Sequence, residues 1–445
     1  MCRRLCLIAF GLLALPLAAQ SPAPDLAVAF QQFKLANGLN VILHQDRSVP
    51  IATVNIWYHV GSANERPGRT GFAHLFEHIM FEGSKHVKEG EFDTLLEGAG
   101  ASNNASTAND RTNYYIDVPA NALELALYLD SDRMGYLLDA MSPARVDGQR
   151  DVVKNERRQS YENRPYGMAS LEIDKMLWPE QHPYNWPVIG YMEDLTAASH
   201  ADVVEFFKKY YAPANASLVI AGDIDYDRTR ALVEKWFNEV PAGPPVARVT
   251  APPASLSSVE RATLTDQVAL PRLHLAWLTP PLYAAGDAAL DVASSVLSGG
   301  KNSRLYKRLV YDTQIAQDVY AVQQSMALGS SFMIVATARP GHTAAELQQA
   351  IDEEVERLRR QPPDDREVQR AINQIEASFY RRMERVSSKA DQLNAYHFAG
   401  KSPDWFAEDL ARYTALTAAE IQSAIVRWLP ADRRVELVVE PETRR

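Results

Sequence analysis

The 445-residue chain is 46% hydrophobic and 23% charged, with a formal net charge of −10. Its length exceeds what one hydrophobic core fills, its apolar content excludes a disordered chain, and its acidity argues against nucleic-acid binding. Both cysteines, Cys2 and Cys6, lie at the extreme N-terminus, which removes a disulfide scaffold, a cysteine nucleophile and a thiolate metal site from consideration.

Residues 1–20, MCRRLCLIAFGLLALPLAAQ, combine Arg3 and Arg4, an apolar run from Leu5 to Leu17 and the small residues Ala18 and Ala19. That is the pattern of a cleaved secretory signal peptide. The run is shorter than the ~20 residues of a spanning helix, and no comparably long apolar segment follows. The expectation is an exported chain, periplasmic or secreted, with no stable membrane anchor after cleavage. Losing two Arg and no acid takes the charge to −12 and leaves the mature chain without a thiol.

Ile51 to Val60 (IATVNIWYHV) is a β-rich run, followed by a turn and a helix around residues 70–82. This helix carries His74-Leu75-Phe76-Glu77-His78. Residues i and i+4 stack on one helix face, so His74 and His78 can offer two imidazoles to one ion, and Glu77 falls on the same side. Neutral imidazoles suit Zn²⁺, and a neighbouring carboxylate can take a proton from metal-activated water. The other reading is an accidental pattern on an amphipathic helix. His44, His59, His86, His200, His274, His342 and His397 have no such partner and read as surface or core histidines.

A third ligand is sought in GQRDVVKNERRQSYENRPYG (148–167), where Gln149, Val152, Val153 and Glu156 share the helical period. Glu156 then faces inward with the apolar stripe while Arg and Lys face water. A buried carboxylate needs either a metal or an ion-pair partner, and the spacing alone does not choose.

Residues 241–253, PAGPPVARVTAPP, hold five prolines and read as a stiff linker. Beyond it, Pro271 to Thr279 is again a strand followed by a helix around 286–298, and 343–360 and 364–395 read as long amphipathic helices. LTAASHADVVEFFKKYYAPANASLVIAGD (195–223) aligns with LTAAEIQSAIVRWLPADRRVELVVEPE (416–442). Trp57 to Trp277 is 220 positions and Pro213 to Pro430 is 217, the offset of a duplicated unit. The fold class expected is α+β: two homologous sandwich domains, each an antiparallel-type sheet with helices on one face, spanning 28–240 and 259–442 around a linker at 241–258.

Together these segments resemble the pitrilysin-type zinc peptidases with the inverted histidine motif, in the short two-domain subfamily similar to the mitochondrial processing peptidases. The pieces that carry the resemblance are GRTGFAHLFEHIMFEGS (68–84), NNASTANDRTNYYIDVP (103–119), VVKNERRQSYENRPYG (152–167) and HPYNWPVIGYMEDL (182–195), in the family's order.

The resemblance implies that His74, His78 and Glu156 hold one zinc ion per chain and that Glu77 is the catalytic base. It implies that Asn104 and Ala105 lie on the edge strand that receives substrate, and that Arg304 and Tyr311, seven apart on one helix face, hold substrate from the second half. Where some members carry a supporting Glu, this chain has Gln149. At Ser294, Leu297 and Ser298 the second copy lacks the metal set. The implied activity is a zinc endopeptidase or oligopeptidase acting on unfolded peptides, working as a homodimer or with a paralogous chain. The alternative is a non-catalytic or partner-dependent peptide-binding subunit, and a metal-storage role lacks the ligands it would need.

Overall fold

The computed structural model describes residues 26–442; the signal peptide assigned to residues 1–20 lies outside them. The first half has strands β1 (Gln31–Lys34), β2 (Asn40–Gln45), β3 (Ile51–Tyr58), β4 (Ser102–Thr107), β5 (Thr112–Pro119) and β6 (Ala216–Gly222). Its helices are α1 (Phe72–Ile79), α2 (Glu91–Gly98), α3 (Leu123–Ala140), α4 (Pro143–Arg157), α5 (Met168–Leu177), α6 (Met192–Ala197), α7 (His200–Tyr210) and α8 (Tyr226–Phe237). The second half has β7 (Glu260–Asp266), β8 (Arg272–Thr279), β9 (Ala316–Gln324), β10 (Ser330–Ala338) and β11 (Val435–Pro441). Its helices are α9 (Asp287–Ser298), α10 (Ala344–Arg360), α11 (Asp365–Met383), α12 (Val386–Phe398), α13 (Phe406–Thr414) and α14 (Ala418–Trp428).

The first sheet runs β1-β2-β6-β3-β5-β4 and the second β7-β11-β8-β10-β9, so the second repeats the first without β1. In each, one parallel pair (β2 with β6, β7 with β11) adjoins antiparallel neighbours. Capping boxes mark the repeat at side-chain level: Ser199 with Asp202 starts α7, and Thr417 with Glu420 starts α14. These caps align Ser199 with Thr417, so the matching LTAA strings sit about one helical turn out of register with the structural repeat.

Each half packs its own helices on one face of its sheet. Leu75, Phe76 and Ile79 of α1, Val203 and Phe207 of α7, and Val233 and Phe237 of α8 form the first core with Val54, Ile56 and Tyr58 of β3. Leu290, Val296, Leu347, Ile351 and Ile421 do the same over Leu275 and Trp277. The opposite face of each sheet is covered from the other half. Ala390, Leu393 and Tyr396 of α12 pack on Ile42, Val219 and Ala221 of the first sheet. Ile173 and Leu177 of α5 pack on Ala276, Val435 and Leu437 of the second. This exchange explains why seven of the eight residues of β3 are buried although Thr53 and Asn55 are polar.

The single helix read across 364–395 is two. Arg385 is extended (φ −95°, ψ 131°), because α11 packs in the second half's core while α12 must cross to the first sheet. Residues 241–259 form no helix or strand, and Val246, Val249, Ala254 and Leu256 lie against the cores.

Candidate active site

α1 begins at Gly71, whose φ of 82° suits glycine and whose Cβ, if present, would lie 2.8 Å from the Ile189 carbonyl oxygen. Gly190 makes the reciprocal approach to Gly71, so the 182–195 segment is keyed against the start of this helix. Glu65 caps that start: its carboxylate accepts from the Gly71 and Ala73 N–H groups at 2.9 and 2.7 Å. Burial pushes the Glu65 carboxyl strongly up, and these backbone donors oppose the shift. Leu75, Phe76 and Ile79 are fully buried, which fixes the rotation of α1 and aims the other face at α4.

There His74, His78 and Glu156 converge. His74 Nε2 is 3.6 Å and His78 Nε2 is 3.2 Å from Glu156 Oε2, and one ligand atom from each of the three lies within 4.8 Å of the others. Among the described residues no other such group of His, Cys, Asp and Glu occurs. The set fits a zinc ion. Two imidazole nitrogens directed at one carboxylate oxygen need a cation or a proton between them, and burial, reinforced by His78, holds the His74 imidazole neutral, down to about 4. Glu156 is held below the usual carboxylate range, first by its hydrogen bond with His78. His74, His78 and Glu156 would hold the ion through two nitrogens and one oxygen, a donor set that would let it activate a water.

Glu77 flanks the trio. Burial pushes its carboxyl up, and the Thr107 hydroxyl opposes this by donating to Glu77 Oε2 at 2.6 Å. Thr107 ends β4, the edge strand of the first sheet. Asn104 and Ala105 lie on the same strand, where the Ala105 N–H is bound to the Asn104 side-chain oxygen at 2.8 Å.

The surroundings of Glu156 differ from the sequence reading. Its side chain is 40% exposed rather than buried, Val152 is 45% exposed, and only Val153 of that stripe is fully enclosed. Arg157, expected to face water, is buried and donates to the Gly190 carbonyl while pairing with Glu162. These residues all lie in the α-helical part of α4, which passes into a π-helical turn only at Arg158–Glu162, so the period holds and it is the open side of the helix, facing His74 and His78, that leaves Glu156 exposed. Gln149 donates to Glu82 Oε1 at 2.6 Å, and no hydrogen bond joins it to the trio among the described residues.

Arg304 and Tyr311 do not share a helix face. Tyr306–Asp312 winds as a π-helix, in which seven residues are not two turns. Arg304 forms a two-pronged ion pair with Glu367 at 2.7 and 2.6 Å, whereas Tyr311 is 73% exposed. In the second half, the Ser298 hydroxyl is used structurally, accepting from the Ala321 N–H at 2.7 Å. Thr107 is the site residue that the sequence reading passed over; its place two positions after Ala105, on the same face of an alternating strand, was the available signal.

The insulinase (peptidase family M16) model matches residues 40–174, and the peptidase M16 inactive domain model matches 197–375. The chain is 30% identical over 395 residues to the zinc protease PqqE of Helicobacter pylori, covering 87% of each. It is 23% identical over 413 residues to a probable mitochondrial-processing peptidase subunit beta of Arabidopsis thaliana, covering 89% of this chain and 75% of that one. The crystal structure of a protease from Helicobacter pylori superposes with a TM-score of 0.88 at 26% identity, over 93% of this chain and 100% of the other. Similarity sustained across both halves, on a doubled fold whose first helix bears the histidine pair, makes this chain a member of peptidase family M16.

Proposed function

We propose that the chain is a zinc-dependent endopeptidase or oligopeptidase that hydrolyses unfolded peptides. The observation that carries this reading is the convergence of His74, His78 and Glu156 with Glu77 beside them. When bound, zinc supplies Lewis acidity, polarising a scissile carbonyl and making water easier to deprotonate. Glu77 accepts the proton from the attacking water and returns it to the leaving amine, a role suited to a carboxyl whose affinity for protons burial has raised. Substrate adds to the free edge of β4 beside Asn104 and Ala105, and recognition through backbone hydrogen bonds gives broad sequence tolerance. Gln149 supports the site indirectly, through Glu82.

The same reading has residues 28–240 as the zinc-binding domain and 259–442 as a metal-free domain, joined by 241–258, with one zinc ion per chain. Arg304 and Tyr311 contact substrate once two chains enclose it, as a homodimer or with a paralogue. The mature chain is exported to the periplasm or secreted after losing residues 1–20; no helix among the described residues is long and apolar enough to cross a membrane.

The test is a mixed peptide pool incubated with the purified mature chain and with Glu77→Gln, each with its zinc content measured. Cleavage by the wild type, blocked by a chelator and absent in a Glu77→Gln protein that retains zinc, is the expected result. Equal cleavage by both, or no zinc near one per chain, overturns the reading.

A further inference from the structure

We propose that Thr107 is a positioning residue for Glu77: its hydroxyl holds the carboxylate in the orientation from which it takes the water proton. The inference rests on the assignment of Glu77 as the base. A glutamate on a helix surface has three side-chain torsions, and nothing in the helix itself selects one carboxylate orientation. Among the described residues Thr107 is the hydroxyl that donates to this carboxylate, at 2.6 Å and in a partly buried setting. Such a bond to a charged acceptor is of the stronger kind.

Thr107 can serve this way because its own backbone is fixed from three sides. It pairs with Thr112 across the hairpin, and the turn between them is closed by the Ala108 N–H to the Arg111 carbonyl at 2.9 Å. Arg111 Nη1 donates to both the carbonyl and the hydroxyl of the preceding Ser106, at 2.8 and 2.7 Å. The Ala108 and Asn109 carbonyls accept from the Ser62 and Ala63 N–H groups at 3.2 and 2.8 Å. Gly61 permits that approach, since a Cβ there would lie 2.3 Å from the Ala108 oxygen. Asp110, at the tip, accepts from the Tyr184 hydroxyl at 2.6 Å and from the Ala327 N–H of the second half at 3.1 Å. A hydroxyl on so constrained a hairpin restrains its partner to within the tolerance that proton transfer demands.

Thr107→Val preserves shape and removes the donor; Thr107→Ser preserves the donor. Steady-state rates on a fluorescence-quenched peptide that the wild type cleaves should show kcat for Thr107→Val lowered about tenfold to a hundredfold. KM and zinc content should be unchanged, and Thr107→Ser should recover most of the rate. Crystals of metal-free Thr107→Val should show the Glu77 carboxylate displaced from β4. If Thr107→Val does not fold by thermal melting, Thr107→Ala replaces it in every comparison. A wild-type kcat without the hydroxyl, an effect confined to KM, a serine variant as impaired as the valine one, or an unmoved Glu77 overturns the inference. Glu77→Gln in the same assay separates the two claims. An active Gln variant removes the base assignment, whereas an inactive one beside a fully active Thr107→Val removes only the role of Thr107.

Discussion

The Trp57 indole of the first half donates to Asp391 of the second at 2.9 Å. Asp391 lies on α12, and the same carboxylate oxygen accepts from Asn55 and Asn113 at 3.3 and 3.2 Å. Three polar side chains that would otherwise face water from the back of the first sheet thus share one acceptor supplied by the other half. Asn394, one turn along α12, extends the contact by accepting from Ser217 at 2.7 Å and donating to the Asn55 carbonyl at 3.0 Å. The face on which α12 rests is the back of the sheet whose front packs α1, so the second half helps to stiffen the mount of His74 and His78.

Asp391→Ala leaves three partly buried donors without their acceptor. The expected loss is about 2–3 kcal/mol, the desolvation cost of groups stranded away from water. In urea unfolding the midpoint should fall with little change in slope, and Asp391→Asn, which retains one acceptor, should recover part of the loss.

Arg304 and Tyr311 should separate by kind of effect. Arg304→Ala abandons Glu367, whose side chain is 15% exposed, and is expected to destabilise the protein by about 1–3 kcal/mol besides any effect on substrate. Tyr311→Phe touches a side chain that is 73% exposed and should leave the melting temperature unchanged. A rise in KM for a quenched peptide in Tyr311→Phe at unchanged stability would mark it as a substrate contact, and an unchanged KM would remove it from that role.

Glu156→Gln should lose metal without losing the fold. The carboxylate is 40% exposed and an amide has nearly its shape, so the metal-free variant should still unfold cooperatively, with a melting temperature lowered only by the weakened contact to His78. Zinc affinity, measured by competition with a chelator, should drop by about tenfold or more, since the ligand oxygen keeps its place but loses its charge.

The sequence made legible what depends on local chemistry. The Ile51 strand, the helix bearing His74 and His78, the second-half strand from Pro271 and the helix near 286–298 all emerge where alternation and helical period place them. What failed depends on distant partners or altered winding. Nothing near Arg385 announces that the chain must leave one core for another, so a helical pattern ran through the break. Glu156 is exposed because its side of α4 faces His74 and His78 rather than a packed core, a partner that α4 alone does not reveal, whereas the spacing of Arg304 and Tyr311 assumes α-turns where the chain winds as a π-helix. Thr53, Asn55 and Trp57 alternate with apolar residues as if one face of β3 were solvated; the helix that covers them lies over 300 residues away.

Asp291 on α9 has its carboxyl raised to about 7, by burial first, with Asp287 adding to the shift and the Tyr413 hydroxyl and Arg412 opposing it. A folded-state value above the unfolded one, ~3.9, means that the native state prefers the protonated form. The associated stability is fully present below the unfolded value and is lost as pH rises through about 7. Asp291→Asn removes the titration and keeps an oxygen to accept from Tyr413, which now donates to Asp291 Oδ2 at 2.9 Å. The variant should therefore match the wild type near pH 4 and exceed it by about 1–2 kcal/mol at pH 8, a figure discounted for partial solvent access. Denaturant unfolding of both proteins at several pH values reads the difference. A gap between them that stays constant across that range, or that closes as pH rises, would mean that Asp291 is ionised in the fold throughout and that its burial is compensated by Arg412.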